Sequence, residues 1–196
     1  MACLVVINFS SLDGVIQAPL RSDEDGDGGF AHGGWTQPYM DETVARFMGE
    51  ATSRAAGMLL GRRTYENFVT DWKQVDPTEP AIAAMNRMPK YLVSRTLTDP
   101  TWDNTVRLGP DLATEVQRLR AEGEGEIVVF GSGQLLEELQ RHDLVDEYRL
   151  LIFPVLLGGG KRMFADTGAL ARFTLAHSVI SESGVTINSY RRDRSG

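Results

Sequence analysis

Three short stretches of this sequence carry residues that could bind phosphate groups. In the first, residues 126–130 have the apolar, β-branched composition of a buried strand, and a helix-spaced apolar face begins a few residues later. The turn between them is Gly131, Ser132 and Gly133. Such a turn presents unpaired backbone N–H groups and the positive end of a helix dipole to an anion. The pattern predicts a pyrophosphate site, and the alternative is a turn that only joins strand to helix.

The other two stretches supply cations and hydroxyl groups. They are Arg62, Arg63 and Thr64 after an apolar run at 57–61, and Ser94, Arg95 and Thr96 after a run at 91–93. Arginine meets phosphate with paired donors, whereas NAD-selective sites usually present an acid to the free ribose hydroxyl. Because ligands bind at the carboxyl ends of parallel strands, the three ends together predict a groove for NADPH. The alternative for each arginine is a solvated surface side chain.

Composition narrows the class of protein. The chain has 196 residues, a net charge of -7, one cysteine and three histidines. This length suits one domain over residues 1–196, and the acidic balance argues against nucleic acid or an anionic membrane as partner. One cysteine cannot form an internal disulfide, and a Cys/His zinc site is implausible. No apolar run approaches a membrane span and no signal pattern opens the chain, so we expect a cytoplasmic protein with a small-molecule substrate.

The polar, glycine-rich segment 17–34 is too long for an ordinary connection in a compact domain. Residues 23–28 match the start of an EF-hand loop, but Gly34 stands where that loop needs a bidentate glutamate. A metal site is therefore not predicted. We expect a solvated acidic loop tip instead.

The remaining pattern alternates strands and helices. Thr36 is expected to cap a helix that begins near Pro38 and carries Met40 and Val44 on its apolar face. Further strands are predicted at 3–9, 105–108 and 147–154, further helices at 77–88 and 112–122, and a closing hairpin at 173–180 and 185–190. This order predicts a three-layer α/β fold with a mostly parallel mixed sheet and an antiparallel C-terminal hairpin.

Several motifs in this order resemble the dihydrofolate reductase superfamily. The run GRRTYE at 61–66 resembles the G-R-x-T-x-E signature, and the segments at 91–95 and 129–133 resemble the strand and glycine turn that follow it. The segments at 11–16, 144–150 and 154–160 are closest to the C-terminal reductase domain of bifunctional riboflavin-biosynthesis deaminase-reductases and its stand-alone relatives. The resemblance extends from the first strand to the final hairpin.

This resemblance implies an NADPH-dependent reductase that forms a homodimer. It places the nicotinamide between the segment from Asn8 to Ile16 and the glycine turn, and adds Gln134 and Leu135 to the cofactor site. The substrate in the riboflavin branch is a ribosylaminopyrimidine phosphate, and the residues implied to contact it are Phe9, Gly158 and Lys161. Lys161 and the neighbouring Arg162 could equally be surface charges.

The proton donor of the resembled enzymes has no direct counterpart. Dihydrofolate reductases carry their acid two residues after the proline of a segment like 35–38, where this chain has Met40. Asp41 is turned about 100° away on the predicted helix and could instead cap it, so Asp41, Asp13 and water remain candidates. Folate reduction is disfavoured. The alternatives kept open are a dihydrofolate reductase proper and a non-catalytic nucleotide- or flavin-binding module.

Overall fold

A computed structural model describes residues 1–72, 76, 78–164 and 170–195. One eight-stranded sheet has the order β4-β3-β2-β5-β1-β6-β8-β7. The strands are β1 (Cys3–Ser11), β2 (Ala55–Gly61), β3 (Lys90–Val93), β4 (Thr105–Arg107), β5 (Glu126–Phe130), β6 (Glu147–Phe153), β7 (Arg172–Ile180) and β8 (Thr186–Asp193). The helices are α1 (Glu42–Arg54), α2 (Arg62–Trp72), α3 (Pro80–Arg87), α4 (Leu112–Glu122) and α5 (Gly133–Arg141).

The first six strands run parallel and the last two form an antiparallel hairpin, which confirms the predicted fold class. β1 lies near the centre because its side chains are apolar on both faces. Leu4 and Val6 pack on one side of the sheet, whereas Val5 and Ile7 pack on the other. Helices cover both faces, so a nearly continuous apolar run is the stable composition for this strand.

The predicted start of the first helix was wrong. Residues Gln37–Tyr39 form a single 3₁₀ turn, and Met40 is extended, so α1 begins only at Glu42. The Thr36 hydroxyl does not cap a helix, because it donates to the Pro19 carbonyl at 2.6 Å. Asp41 is the cap, since its carboxylate accepts from the Val44 N–H at 3.0 Å. A local side-chain acceptor therefore decided the helix boundary.

The prediction for residues 77–88 also needs correction. Helix α3 begins at Pro80, because a proline in the first turn gives up an N–H that has no helical partner. Pro77 lies outside the described residues. The C-terminal end of α3 is joined to β3 by Lys90, whose buried ammonium donates to the carbonyls of Met85 and Asn86 at 2.9 and 3.0 Å. Burial lowers the pKa of Lys90 to about 8.

Candidate functional site

The carboxyl ends of the parallel strands open into one cleft of about 1590 Å³. Thirteen of the predicted site residues line it: Phe9, Ile16, Arg62, Arg63, Thr64, Ser94, Arg95, Gly131, Ser132, Gly133, Gln134, Leu135 and Lys161. Asp13, Asp41 and Gly158 are not among its lining residues. The three strand ends proposed to act together therefore share a groove.

The glycine turn is tied directly to the end of β2. The Gly61 N–H donates to Ser132 Oγ at 3.1 Å, and the hydroxyl oxygens of Thr64 and Ser132 lie 2.7 Å apart. Gly131 and Ser132 both adopt left-handed backbone conformations, with φ of 56° and 62°. These contacts hold the first turn of α2 against the first turn of α5. Two helix N-termini, each with unpaired N–H groups, thus face the same part of the cleft.

Two of the predicted phosphate-binding cations are already paired with carboxylates of the loop 17–34. Arg63 donates to Asp27 and to Asp25, and Lys161 donates to the same two residues at 2.8 and 2.5 Å. The Lys161 and Arg63 hydrogen bonds lower the pKa of Asp27 to about 2. Arg62 pairs with Glu66 one helical turn later. The charges of all three cations are therefore balanced within the chain.

The tip of the acidic loop is exposed, as the sequence predicted, but ion pairs of Asp25 and Asp27 also tie the loop to the cleft. Gln17 lies at its base, and its side-chain amide donates to the carbonyls of Asp25 and Asp27 at 2.9 and 3.0 Å. The Trp35 indole N–H donates to the Gln17 carbonyl at 2.8 Å. Buried side chains at both ends thus hold the loop over the cleft. No group of three or more metal-ligating side chains occurs among the residues that the structure describes.

Unpaired positive charge lies at the β3–β4 edge of the cleft. Arg95 and Arg107 both line it, and neither forms an ion pair within the described part of the chain. Arg107 ends β4, and its neighbour across the sheet is Leu92 of β3. Arg107 was not among the residues predicted from the sequence. The signal was present, because residues 105–108 were predicted as a strand and Arg107 stands at its carboxyl end.

Asp41, one of the two proposed proton donors, makes hydrogen bonds that stabilise the fold. Its carboxylate oxygens accept from the backbone N–H groups of Val44 and Ser183 at 3.0 and 2.9 Å. These hydrogen bonds hold the pKa of Asp41 far below its usual range. The carboxylate joins α1 to the turn between β7 and β8. Its catalytic role stays a prediction that the position does not favour.

Asp13, the other proposed donor, stabilises the turn after β6. It accepts hydrogen bonds from the Ser11 hydroxyl at 2.6 Å and from the N–H groups of Leu157 and Gly158 at 3.2 and 3.0 Å. The Ser11 hydrogen bond is the main cause that lowers the pKa of Asp13 to about 2. Arg162 lies beside this carboxylate rather than in the cleft. Asp13 therefore stays ionised near neutral pH.

Glu24 is a carboxyl group of the cleft that was not among the residues predicted from the sequence. It lines the cleft, and one of its oxygens accepts from the Leu20 N–H at 2.9 Å. Burial is the main cause that raises the pKa of Glu24, and the neighbouring Asp25 raises it further. A carboxyl group with a raised pKa retains its proton to higher pH. Burial thus favours the protonated form of Glu24, whereas hydrogen bonds favour the ionised forms of Asp13 and Asp41.

The sheet order and the cleft at its carboxyl edge define an α/β protein of the dihydrofolate reductase-like class. The family model described as the RibD C-terminal domain matches residues 2–187. The chain belongs to that family, which confirms the resemblance to the reductase domain of riboflavin-biosynthesis proteins. No described helix is both long enough and apolar enough to cross a membrane.

Solved structures agree on the fold. A candidate riboflavin biosynthesis protein of Shewanella sp. PV-4 is 23% identical with a TM-score of 0.70, covering 99% of this chain and 100% of its own. Dihydrofolate reductase of Enterococcus faecalis, complexed with NADP(H), is 15% identical with a TM-score of 0.61 over 97% and 96%. A deaminase/5-amino-6-(5-phosphoribosylamino)uracil reductase of Thermotoga maritima is 12% identical with a TM-score of 0.63. It covers 98% of this chain and 57% of its own.

Proposed function

We propose that this protein is an NADPH-dependent reductase that transfers a hydride to a small heterocyclic substrate of the ribosylaminopyrimidine type. The observation that carries the proposal is the convergence of the ends of β2, β3 and β5 on one cleft. Family membership and the NADP(H)-bound structural neighbour support the same cofactor class. NADPH would supply the hydride, and the chain would supply binding, orientation and a proton.

The residues of the cleft fit the charge distribution of a phosphorylated dinucleotide. The helix N-termini at Thr64 and Gly133 suit a pyrophosphate, and the unpaired guanidinium groups of Arg95 and Arg107 suit a 2′-phosphate. The volume exceeds the 300–1,000 Å³ or so of ordinary ligand pockets, which leaves room for a second ligand. Met48 and Thr52 of α1 line the other side of this space, where we place the substrate.

Titration with NADPH tests this proposal. The melting temperature should rise by several degrees at millimolar NADPH, because a ligand that binds only the folded state stabilises it. Single-turnover mixing with ribosylaminopyrimidines should then oxidise the bound cofactor. No thermal shift would rule out the binding site, whereas a shift without oxidation by any pyrimidine would favour the non-catalytic module. Oxidation by dihydrofolate would favour the dihydrofolate reductase alternative.

Neutralising the acidic loop should strengthen binding. In Asp25→Asn/Asp27→Asn, Arg63 and Lys161 lose their carboxylate partners and become free to meet a phosphorylated ligand. We expect NADPH affinity to rise about 10-fold at low salt and the gain to shrink as salt increases. Asp23→Asn is the control, because Asp23 belongs to the same loop but pairs with Arg21 and does not line the cleft. Unchanged or weaker binding in the double variant would contradict this role of the loop.

Glu24 is the proposed proton source. Glu24→Gln keeps an acceptor for the Leu20 N–H but removes the acidic proton, so we expect the rate of NADPH oxidation to fall about 100-fold. The wild-type rate should decline as pH rises through the raised pKa of Glu24, because the donor is then deprotonated. The variant should lack this decline. Glu182→Gln, in the exposed turn of the C-terminal hairpin, should behave as wild type. A wild-type pH profile in the glutamine variant would exclude Glu24.

The same reductase is proposed to be a cytoplasmic homodimer. A single cysteine suits a reducing compartment. β7 is the outer strand of the sheet, and Leu175 and Ile180 on it are 52% and 73% exposed. An exposed apolar edge strand can be covered by a second copy of the chain. Light scattering should give twice the 21.6 kDa chain mass, and Leu175→Glu should shift it toward the monomer. A monomeric wild type would exclude the dimer.

A further inference from the structure

The side chain of Asn8 is a buried amide with an unused donor. Asn8 lies on β1 and is 6% exposed. Its Nδ2 has no hydrogen-bond partner among the residues that the structure describes. A buried donor without an acceptor is costly, and such groups in native proteins call for an explanation. Asn8 also lines the cleft, so a bound ligand can provide the missing acceptor.

The register of the sheet places this amide beside the glycine turn. Ile7 forms the last pair between β1 and β5, with Phe130, so Asn8 stands level with Gly131. Side chains alternate along a strand, so Asn8 shares the sheet face of Val6. That face is the one against which Ile16 and Leu135 pack. The donor of Asn8 therefore lies in the part of the cleft bounded by apolar side chains.

This position is remote from the unpaired cations. In the order β3-β2-β5-β1, three strand spacings of about 4.8 Å each separate β1 from the strand that leads to Arg95. A ligand that reaches both ends must be extended across about 14 Å. The cationic end suits phosphate, whereas a neutral donor among apolar groups suits the acceptor of an uncharged planar ring.

We propose that Asn8 determines ring specificity in this cleft by donating its Nδ2–H to a carbonyl oxygen carried by a heterocyclic ring. Two rings carry such an oxygen: the nicotinamide, through its carboxamide, and a pyrimidine substrate. The inference rests on the proposed function, since it names the group that the same cleft recognises. It assigns a ligand contact to the Asn8 donor, which has no partner among the described residues.

Three probes and two variants test the assignment by calorimetric titration. The probes are NADPH, 2′-phospho-ADP-ribose, which has the same phosphates but no nicotinamide, and uracil added to the NADPH-saturated protein. Asn8→Leu removes the donor, and Asn8→Asp replaces it with an acceptor of the same shape. We expect about 10-fold weaker binding of one ring probe in Asn8→Leu and a larger loss in Asn8→Asp. Binding of 2′-phospho-ADP-ribose should not change in Asn8→Leu.

The pattern of losses identifies the ring. Weaker NADPH binding assigns the contact to the nicotinamide, and weaker uracil binding at unchanged NADPH affinity assigns it to the substrate. Asn8→Leu should also melt about 2 to 4 °C above wild type, because the unpaired donor is gone. Ser10→Ala is the matched control, since Ser10 is buried on the same strand face, donates to the Ser11 carbonyl and does not line the cleft.

Two results would overturn the assignment while the proposed function stands. In one, Asn8→Leu binds all three probes as tightly as wild type. In the other, it loses 2′-phospho-ADP-ribose as strongly as NADPH, which would indicate a general distortion rather than ring recognition. A wild-type protein that binds neither NADPH nor 2′-phospho-ADP-ribose would overturn the proposed function, and the role of Asn8 with it.

Discussion

Gly131→Ala is expected to weaken NADPH binding by one to two orders of magnitude. Gly131 has a φ of 56°, and a Cβ there would lie 3.2 Å from Thr64 Oγ1. An L-residue in this conformation costs about 1–2 kcal/mol, and the new methyl group would push on the hydroxyl that bonds Ser132. Losing one or two charge-assisted hydrogen bonds to a phosphate, at about 1.5–3 kcal/mol each, gives the expected loss of affinity.

Calorimetric titration and thermal melting together check this expectation. The melting temperature of Gly131→Ala should fall by about 2–8 °C from the backbone strain. Gly159→Ala is the control, because its φ is ordinary and a Cβ there would meet no atom within 4 Å. The control should bind and melt as wild type. Full NADPH affinity in Gly131→Ala, at a lowered melting temperature, would show that the glycine turn only connects β5 to α5.

The second large effect concerns cofactor choice. Arg95→Gln/Arg107→Gln should lower NADPH affinity about 100-fold and leave NADH affinity nearly unchanged, because only the phosphorylated cofactor carries a 2′-phosphate. These two guanidinium groups line the cleft without carboxylate partners in the described structure, so their charge is available to a ligand. Arg62 and Arg63 are the weaker candidates, since both are paired with carboxylates.

Competition between NADPH and NADH in direct titrations measures this selectivity. Arg118→Gln is the matched control, because Arg118 lies on α4, pairs with Glu115 and Glu122 and does not line the cleft. It should bind both cofactors as wild type. Equal losses for NADPH and NADH in the double variant would place the two arginines away from the 2′-phosphate. A loss in the control would point to the general field of the protein instead.

Together, these experiments assign separate tasks to separate parts of the cleft. The glycine turn at Gly131 would hold the pyrophosphate of the cofactor, and the arginines at the β3–β4 edge would hold its 2′-phosphate. Glu24 would provide the proton, and Asn8 would select the ring. The acidic loop would weaken binding by occupying Arg63 and Lys161. Each proposed role is tested by a separate measurement, so one role can be excluded while the others stand.

Local patterns in the sequence were enough to predict the fold and the place of the cleft. β1 and β5 read as buried strands because apolar residues without alternation are stable only where both sheet faces are covered. Parallel strands put their carboxyl ends at one edge, so Arg62, Ser94 and Gly131 had to be neighbours once the strands were assigned. These inferences need only the chain direction and the composition of each element.

Only the tertiary structure determined which of those groups are available to a ligand. Asp41 is held between α1 and the turn that joins β7 to β8, because Ser183, from the far end of the chain, donates to its second oxygen. Arg63 is paired with Asp25, which lies almost forty residues earlier in the chain. The Nδ2 donor of Asn8 has no partner, because no acceptor packs against it in the described structure. Hydrogen bonds and ion pairs between distant segments depend on three-dimensional packing, which residue type and spacing do not encode locally.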